Sequence, residues 1–517
     1  MPSSASTPTD RPPREQAGPE TAAGDARSSS EPVGPETAAG DARSSSEPVG
    51  REAAAGNARS SSEPVGREAA AGNARERAHR EAAARVVAEV ADRLADPERV
   101  ARIAGVPDNV MHYPGDPQPV WDPLQLSDGH PGVALLYAEL AVTDPALRHR
   151  AHAHLSAGLA AGIRPAPQSL FGGMVALAYA GHTTAVGSGG YTAMLAGLDR
   201  HILDRARTRA RADLERTRAG EPAGAWSRYD VLAGTAGIGR YLLARHLAAD
   251  GQEAREAAGA ALTEMLTSLV AVATADDITR HGSRLPAWWV TDGLDHGLPE
   301  HVNLGLAHGV PGPLALLALA WRAGVRVDRQ DEAVERVMAL LTRLRTDDEA
   351  GPRWPHLMSR ERIEKGEPPE RGRDSWCYGA AGAARAVHLA GTALDRPDWR
   401  ADAEAALRGA LTVASDASIR DSALCHGWAG LLQIALRMAE DTGDPELHAT
   451  ADRLAARVLE GFDPGSPFGF RYAHALAKRP LDRPGFLEGA AGIALALHTY
   501  ATGRAPVTSW DSALMLS

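Results

Sequence analysis

Apolar residues recur at mixed three- and four-residue spacing from Arg80 to Leu94. The chain beyond is rich in Ala, Leu and Arg with few β-branched alternations, a pattern that predicts helix almost throughout. A longer regularity lies on top of it. Seven segments combine small or polar residues, a Gly, two residues, usually a second Gly, and then an apolar helical run. They are SDGHPGVALLYAEL from Ser127, LFGGMVALAYA from Leu170, VLAGTAGIGRYLL from Val231, LAHGVPGPLALLALA from Leu306, WCYGAAGAARAVHLA from Trp376, LCHGWAGLLQIALRMA from Leu424 and FLEGAAGIALALHTYA from Phe486. Six keep both glycines; the second has Gly172 but Val175 in the later position. Successive first glycines lie 43 to 75 residues apart, which leaves room for one further helix and its loops in each gap. Each unit is therefore expected to be a helix pair.

Helix pairs either stack as an open solenoid or close into a ring. An open solenoid needs polar caps, whereas the first and last units here are as rich in Gly and apolar residues as the middle ones. The expected fold is an all-α, double-layered α/α toroid of about seven helix pairs, with inner helices whose N-termini share one mouth. Upstream, a 16-residue unit recurs from Gly18, Gly34 and Gly50, with a diverging copy from Gly66. It lacks aromatics and is rich in Gly, Pro and Ser, so residues 1–75 are expected to be a disordered tail and residues 76–517 the toroid. A tether and a tandem expansion without chemistry are the two readings of that tail. The stretches Thr183 to Ala225 and Ile278 to Glu300 lack the glycine motif and are expected to form a smaller extension.

Composition narrows the function. The chain has 55 basic and 66 acidic side chains, a net charge of -11, and no run of five or six Lys or Arg. That argues against nucleic acid as a partner and against a polybasic membrane anchor. No apolar run approaches the roughly 18 residues of a membrane span, and Met1 to Glu15 has no apolar signal region. The expected location is cytoplasmic, with any membrane association arising through a partner complex. There, two cysteines are expected as thiols or metal ligands.

In a ring, the positions just before each first glycine face a common centre. They are Asp128, Phe171, Ala233, His308, Tyr378, His426 and Glu488, with Ala307, Cys377 and Cys425 one residue earlier. Both cysteines of the chain thus share one register on successive units, and His426 adjoins the second. A Cys2His donor set suits a tetrahedral Zn2+ and leaves one coordination position for substrate. Two buried thiols beside a core histidine are the plain alternative.

These residues resemble the lanthionine synthetase C-like (LanC) cyclases. The likeness rests on WCYG at Trp376, LCHG at Leu424, LAHG at Leu306, Tyr229 to Val231, the repeated Gly-x-x-Gly and the closing SWDSALML at Ser509, and it covers residues 80 to 517. The resemblance implies a toroid, zinc held by Cys377, Cys425 and His426, and addition of peptide cysteine thiols to dehydroalanine or dehydrobutyrine to form thioether rings. It implies a dehydrated precursor peptide as substrate, with a separate dehydratase and an exporter as partners. It also assigns Arg373 and Asp230 to the active site. In such an addition, the zinc-bound thiol is deprotonated and an enolate forms that needs a donor and then a proton. His308 is the expected general acid, Arg373 the cation facing the enolate, Tyr378 a neutral donor and Asp230 the group that orients His308. Asp230 also suits a helix cap, Tyr378 simple packing and Arg373 a solvated loop. His130, His301 and His356 carry no expected role. Three other readings stand beside this one: addition of glutathione or another thiol, a leader-peptide-binding scaffold, and a glycosidase with Asp128 and Glu488 as its acid and base.

Overall fold

A computed structural model describes residues 63–112, 116–163, 168–247, 251–291 and 299–517; the side chains of 63–71 and 73 are outside the description. The chain divides into two units, residues 1–71 and 72–517. The first two copies of the 16-residue unit, and the third up to residue 62, lie outside the described residues. Helix α1 runs from Glu63 to Leu94, so residues 63–75, expected as tail, are helical. The cause is local. The fourth copy begins with the same GREAAAGNAR as the third, but from Glu76 it continues as ERAHRE where the third has SSSEPV, so its Ala, Glu and Arg run on into the helix-forming stretch 76–94 and outweigh Gly66 and Gly72.

The described residues then continue α2 (Pro97–Ala104), α3 (His130–Leu140), α4 (Arg148–Ala160), α5 (Gly173–Ala185), α6 (Thr192–Arg218), α7 (Thr235–Leu247), α8 (Gln252–Thr274), α9 (Pro311–Arg322), α10 (Gln330–Leu344), α11 (Arg360–Lys365), α12 (Ala380–Ala393), α13 (Pro397–Val413), α14 (Trp428–Thr442), α15 (Pro445–Glu460) and α16 (Ala490–Thr502). Each of the seven glycine segments starts one nearly wholly buried helix: α3, α5, α7, α9, α12, α14 and α16. These pack in that order, and α16 returns to α3. The ring is closed.

Around it stand α4, α6, α8, α10, α13 and α15, each against the inner helices beside it. Helix α1 supplies the seventh outer helix. Its Ala91 carbonyl accepts from Tyr137, its Leu94 carbonyl accepts from His154 Nε2 at 2.8 Å, and its Arg80 donates to the Tyr500 carbonyl at 2.6 Å. The outer helix α8 is long and apolar enough to cross a membrane, but Leu262, Met265, Leu266 and Leu269 are buried in its packing against α6, α7 and α10.

The expected extension is not a separate body. Residues 183–225 complete α5 and build α6 of the outer layer, and residues 278–285 form a hairpin of two three-residue strands. Three more two-stranded ladders lie between helices. The register Thr183 to Ala225 lacks a glycine motif because an outer helix has no close approach to make.

The second glycine of each motif explains the closure. A Cβ at Gly132 would overlap the Leu126 carbonyl of its own loop and stand 2.8 Å from the Phe486 backbone nitrogen of the last unit. Likewise Gly237 meets Leu170, Gly312 meets Val231, Gly382 meets Leu306, Gly430 meets Trp376, and Gly492 meets Leu424. One glycine thus receives its own loop and its neighbour's in six of the seven units, a close approach that a side chain would block. Inside the ring, the segment Trp510–Leu514 and the residues after it are pinned by buried groups. Arg437 pairs with Asp511, Trp376 Nε1 donates to the Leu514 carbonyl at 2.8 Å, and Arg385 donates to the Leu516 carbonyl at 2.9 Å. The Trp-Asp segment read in the sequence therefore ties α12 and α14 together from within.

Candidate metal centre and active site

The loops that open the inner helices are joined by their backbones. Val231 N–H donates to the Ala307 carbonyl at 3.0 Å, Ala307 to Cys377 at 3.3 Å, Cys377 to Cys425 at 3.1 Å, Cys425 to Leu487 at 2.9 Å, and Leu487 to Ser127 at 3.1 Å. This chain of bonds turns a shared register into spatial adjacency. Gly379, which ends the Cys377 loop, takes φ +88°, a conformation that favours glycine, and a Cβ there would press on Asp374. The ligand atoms of Cys377, Cys425 and His426 all lie within 4.8 Å of one another, and all three residues are buried. Both cysteines are free thiols.

The electrostatics of the cluster follow from its geometry. The Cys425 thiol hydrogen-bonds to Cys377 and holds it well below the ordinary thiol range against the effect of burial, with further help from His426 and the Arg373 charge. That bond and burial push Cys425 up in turn. Burial opposes a charge on His426, but the Asp421 carboxylate and the Cys377 sulfur outweigh it and raise its pKa. Ser375 Oγ lies 3.3 Å from the Cys377 sulfur.

The donor set fits zinc. Two soft sulfurs and an imidazole meet at one buried point, and His426 Nδ1 is buried without a hydrogen-bond partner. Its other nitrogen, Nε2, lies 2.8 Å from the Tyr472 hydroxyl and 3.5 Å from the Asp421 carboxylate. A buried nitrogen left bare in this way costs stability unless something binds it.

Beside this cluster is a second one. His308 Nδ1–H donates to the Asp230 carboxylate at 2.7 Å. The other oxygen of Asp230 accepts from the Ala233 backbone N–H at 2.8 Å, so this residue both caps its loop and orients the imidazole. His308 Nε2 is thereby left to face other groups, on a side chain that is 15% exposed. The Trp226 ring packs 5.6 Å from His308, and Tyr378, next to Cys377 in the chain, has its ring 6.2 Å away on the path between the clusters. Burial pushes the Tyr378 phenol far above its usual range, and its hydroxyl accepts from Asn303 Nδ2 at 3.1 Å. His356 Nε2–H donates to the Arg373 carbonyl at 2.8 Å, which fixes the loop that carries Arg373. Arg373 Nε is buried with no partner, and its charge acts on Cys377, Cys425 and His426.

The glycosidase alternative does not survive this geometry. Asp128 and Glu488 are both bonded to the buried guanidinium of Arg483, with Arg483 Nε 3.1 Å from Asp128. Two carboxylates clamped on one arginine are not free to act as acid and base across a sugar.

The sequence matches the family described as Lanthionine synthetase C-like protein over residues 120–515. The chain belongs to that family. One relative of this lanthionine synthetase C-like chain is the nisin biosynthesis protein NisC of Lactococcus lactis subsp. lactis, 24% identical over 221 residues. That match covers 42% of this chain and 48% of the relative, so the aligned stretch spans about half the length of the curated protein. The solved structure of nisin cyclase superposes with a TM-score of 0.63 at 21% identity, over 84% of this chain and 96% of that one, and shares its fold.

Several members of the lanthionine synthetase C-like site were not evident from the repeat. Tyr472 and Arg483 lie in the long connection between α15 and α16, which has no register to compare. Asp421 precedes its motif loop by a few residues, and His356 lies in the bend just before the strand Leu357–Ser359. The carboxylates of Asp128 and Glu488 at two register positions were the signal in the sequence that a cation, here Arg483, would lie against them. His130 and His301 take no part in the metal cluster: His130 pairs with His154 in the core, and His301 donates to the Pro299 carbonyl at 2.8 Å.

Proposed function

We propose that this chain is a zinc-dependent lanthipeptide cyclase, which adds a cysteine thiol of a dehydrated precursor peptide to dehydroalanine or dehydrobutyrine. The single observation that carries the reading is a three-donor Cys377, Cys425, His426 set with a bare His426 Nδ1, beside a His308–Asp230 pair. Cys377, Cys425 and His426 would hold the metal, and zinc so bound supplies Lewis acidity that favours the thiolate form of a substrate cysteine.

The remaining chemistry falls to side chains. Attack of sulfur on the β-carbon moves an electron pair from the C=C bond toward the adjacent carbonyl, giving an enolate. Arg373 pairs with that oxygen in this reading, which its buried, unpartnered Nε supports. Tyr378 stays protonated and keeps its ring between the sulfur pair and His308. His308, with Nδ1 committed to Asp230, offers Nε2 to deliver a proton to the α-carbon, and Asp230 stabilises the imidazolium that donates it. The precursor peptide is dehydrated by a separate protein in this reading, and an exporter would take the product onward.

The test is incubation of the zinc-loaded protein with a dehydrated precursor peptide, followed by thiol alkylation and mass spectrometry. Cyclised peptide resists alkylation at unchanged mass. Full alkylation of the peptide cysteines would refute the cyclase reading, and a mass increase from added glutathione would favour the intermolecular one.

A further inference from the structure

A buried polar chain leads away from the metal cluster, and its hydrogen-bond directions can be assigned. Arg483 bonds to Asp128 and to Glu488, so the Glu488 end is anchored by a cation. Glu488, as a carboxylate, can only accept. Tyr472 OH lies 3.2 Å from Glu488 Oε1 and 2.8 Å from His426 Nε2. A phenol has one hydrogen, and Glu488 takes it, so the phenol oxygen must accept at His426 and His426 Nε2 must carry the hydrogen. Asp421, 3.5 Å from the same nitrogen and also an acceptor, asks for the same assignment. The consequence is that Nδ1 keeps its lone pair, and Nδ1 is the nitrogen left without a partner.

The phenol itself is locked. Tyr472 is 2% exposed, the Arg483 guanidinium lies 4.7 Å from its ring centroid, and His474 stacks on it with 9° between planes. We propose that Tyr472, anchored through Glu488 to Arg483, is a positioning residue that fixes the tautomer and ring orientation of His426 so that Nδ1 faces the metal. This rests on the zinc reading given above. It adds that the network joining the first unit (Asp128) to the last (Glu488) also sets the metal affinity. Outer partners of metal-bound histidines act in this way, and their loss costs about 10- to 100-fold in affinity.

The experiment uses the full chain and zinc alone. Zinc affinity is measured by competition with a chromophoric chelator for the native protein and Tyr472→Phe, and thermal unfolding is followed for both after zinc removal. The expected result is zinc binding weaker by about 10- to 100-fold in Tyr472→Phe. Equal affinity, with or without a lower unfolding temperature, marks a purely structural tyrosine and overturns the proposal while leaving the zinc reading intact. Failure of the native protein to bind zinc overturns both. Should Tyr472→Phe not fold, Glu488→Gln carries the same test. A glutamine amide can donate to the phenol oxygen and turn its hydrogen toward His426, so weaker zinc binding is expected and unchanged affinity refutes the assignment.

Discussion

Acid should loosen this fold at a definable point, the His130–His154 pair. His154 Nε2–H donates to the Leu94 carbonyl at the end of α1, so in the neutral ring Nδ1 accepts, and His130 Nδ1–H donates to it across 3.1 Å. Three helices, α1, α3 and α4, meet on two uncharged imidazoles. Burial, with the neighbouring His154 charge adding to it, pushes His130 down to about 3, and burial pushes His154 down to about 4. Both folded values lie below the unfolded value near 6.5, so between those limits the unfolded chain binds more protons and stability falls as pH falls. At pH 5 each group is about 1.5 pH units below its unfolded pKa and still above its folded one. That costs about 2 kcal/mol per histidine, or about 4 kcal/mol for the pair, relative to a pH well above 6.5. Against a typical total of about 5–15 kcal/mol, the loss is large enough to measure. The assay is urea unfolding at pH 7.5 and pH 5 of the zinc-free native protein and of His130→Asn/His154→Gln. His388, held down to about 4 by burial, contributes equally to both proteins and cancels. The variant should lose about 4 kcal/mol less between the two pH values, whatever its stability at pH 7.5. An identical pH dependence in the two proteins would refute the argument.

Three further outcomes follow from named contacts. Asp511 is fully buried against Arg437 and Gln433, so Asp511→Ala leaves a buried guanidinium unpaired and should cost about 3–5 kcal/mol by denaturant unfolding; a loss under about 1 kcal/mol would contradict the role given to the C-terminal segment. Gly132→Ala puts a methyl against the Leu126 carbonyl and the last unit, and should cost about 1–3 kcal/mol, whereas Gly72→Ala on open helix surface should gain up to about 1 kcal/mol; equal effects would undo the account of ring closure. His308→Ala should slow cyclisation about 10²- to 10⁴-fold while bound zinc, measured by atomic emission, stays at the native level; loss of zinc with the rate would move His308 into the ligand set.

The ring was readable because its physics repeats. A glycine that admits two loops recurs wherever two loops meet closely; six segments keep it, and with the Gly172 segment they imply seven inner helices. The same repetition brought Cys377 and Cys425 together, since the inter-loop hydrogen bonds carry one register from unit to unit. What lies outside the repeat could not be placed. Tyr472 and Arg483 reach the centre from a long connection whose path depends on tertiary packing, and Asp128 with Glu488 looked like a catalytic pair until Arg483 was seen between them. Helix α6 was misjudged for a related reason: an outer helix makes no close approach, so it carries no glycine signature. The start of α1 at Glu63, in the last residues of the third copy, shows the limit of reading low complexity, because the fourth copy repeats the third's GREAAAGNAR but runs on from Glu76 into Ala, Glu and Arg instead of SSSEPV.

The central claim is that two sulfurs and one imidazole hold a single zinc with a position to spare, and zinc X-ray absorption on the stoichiometrically loaded protein tests it directly. The account predicts two sulfur scatterers at about 2.3 Å and two nitrogen or oxygen scatterers at about 2.0–2.1 Å, one of the latter replaced by sulfur when a peptide thiol is added. A shell of nitrogen and oxygen alone, or no zinc retained, would contradict it.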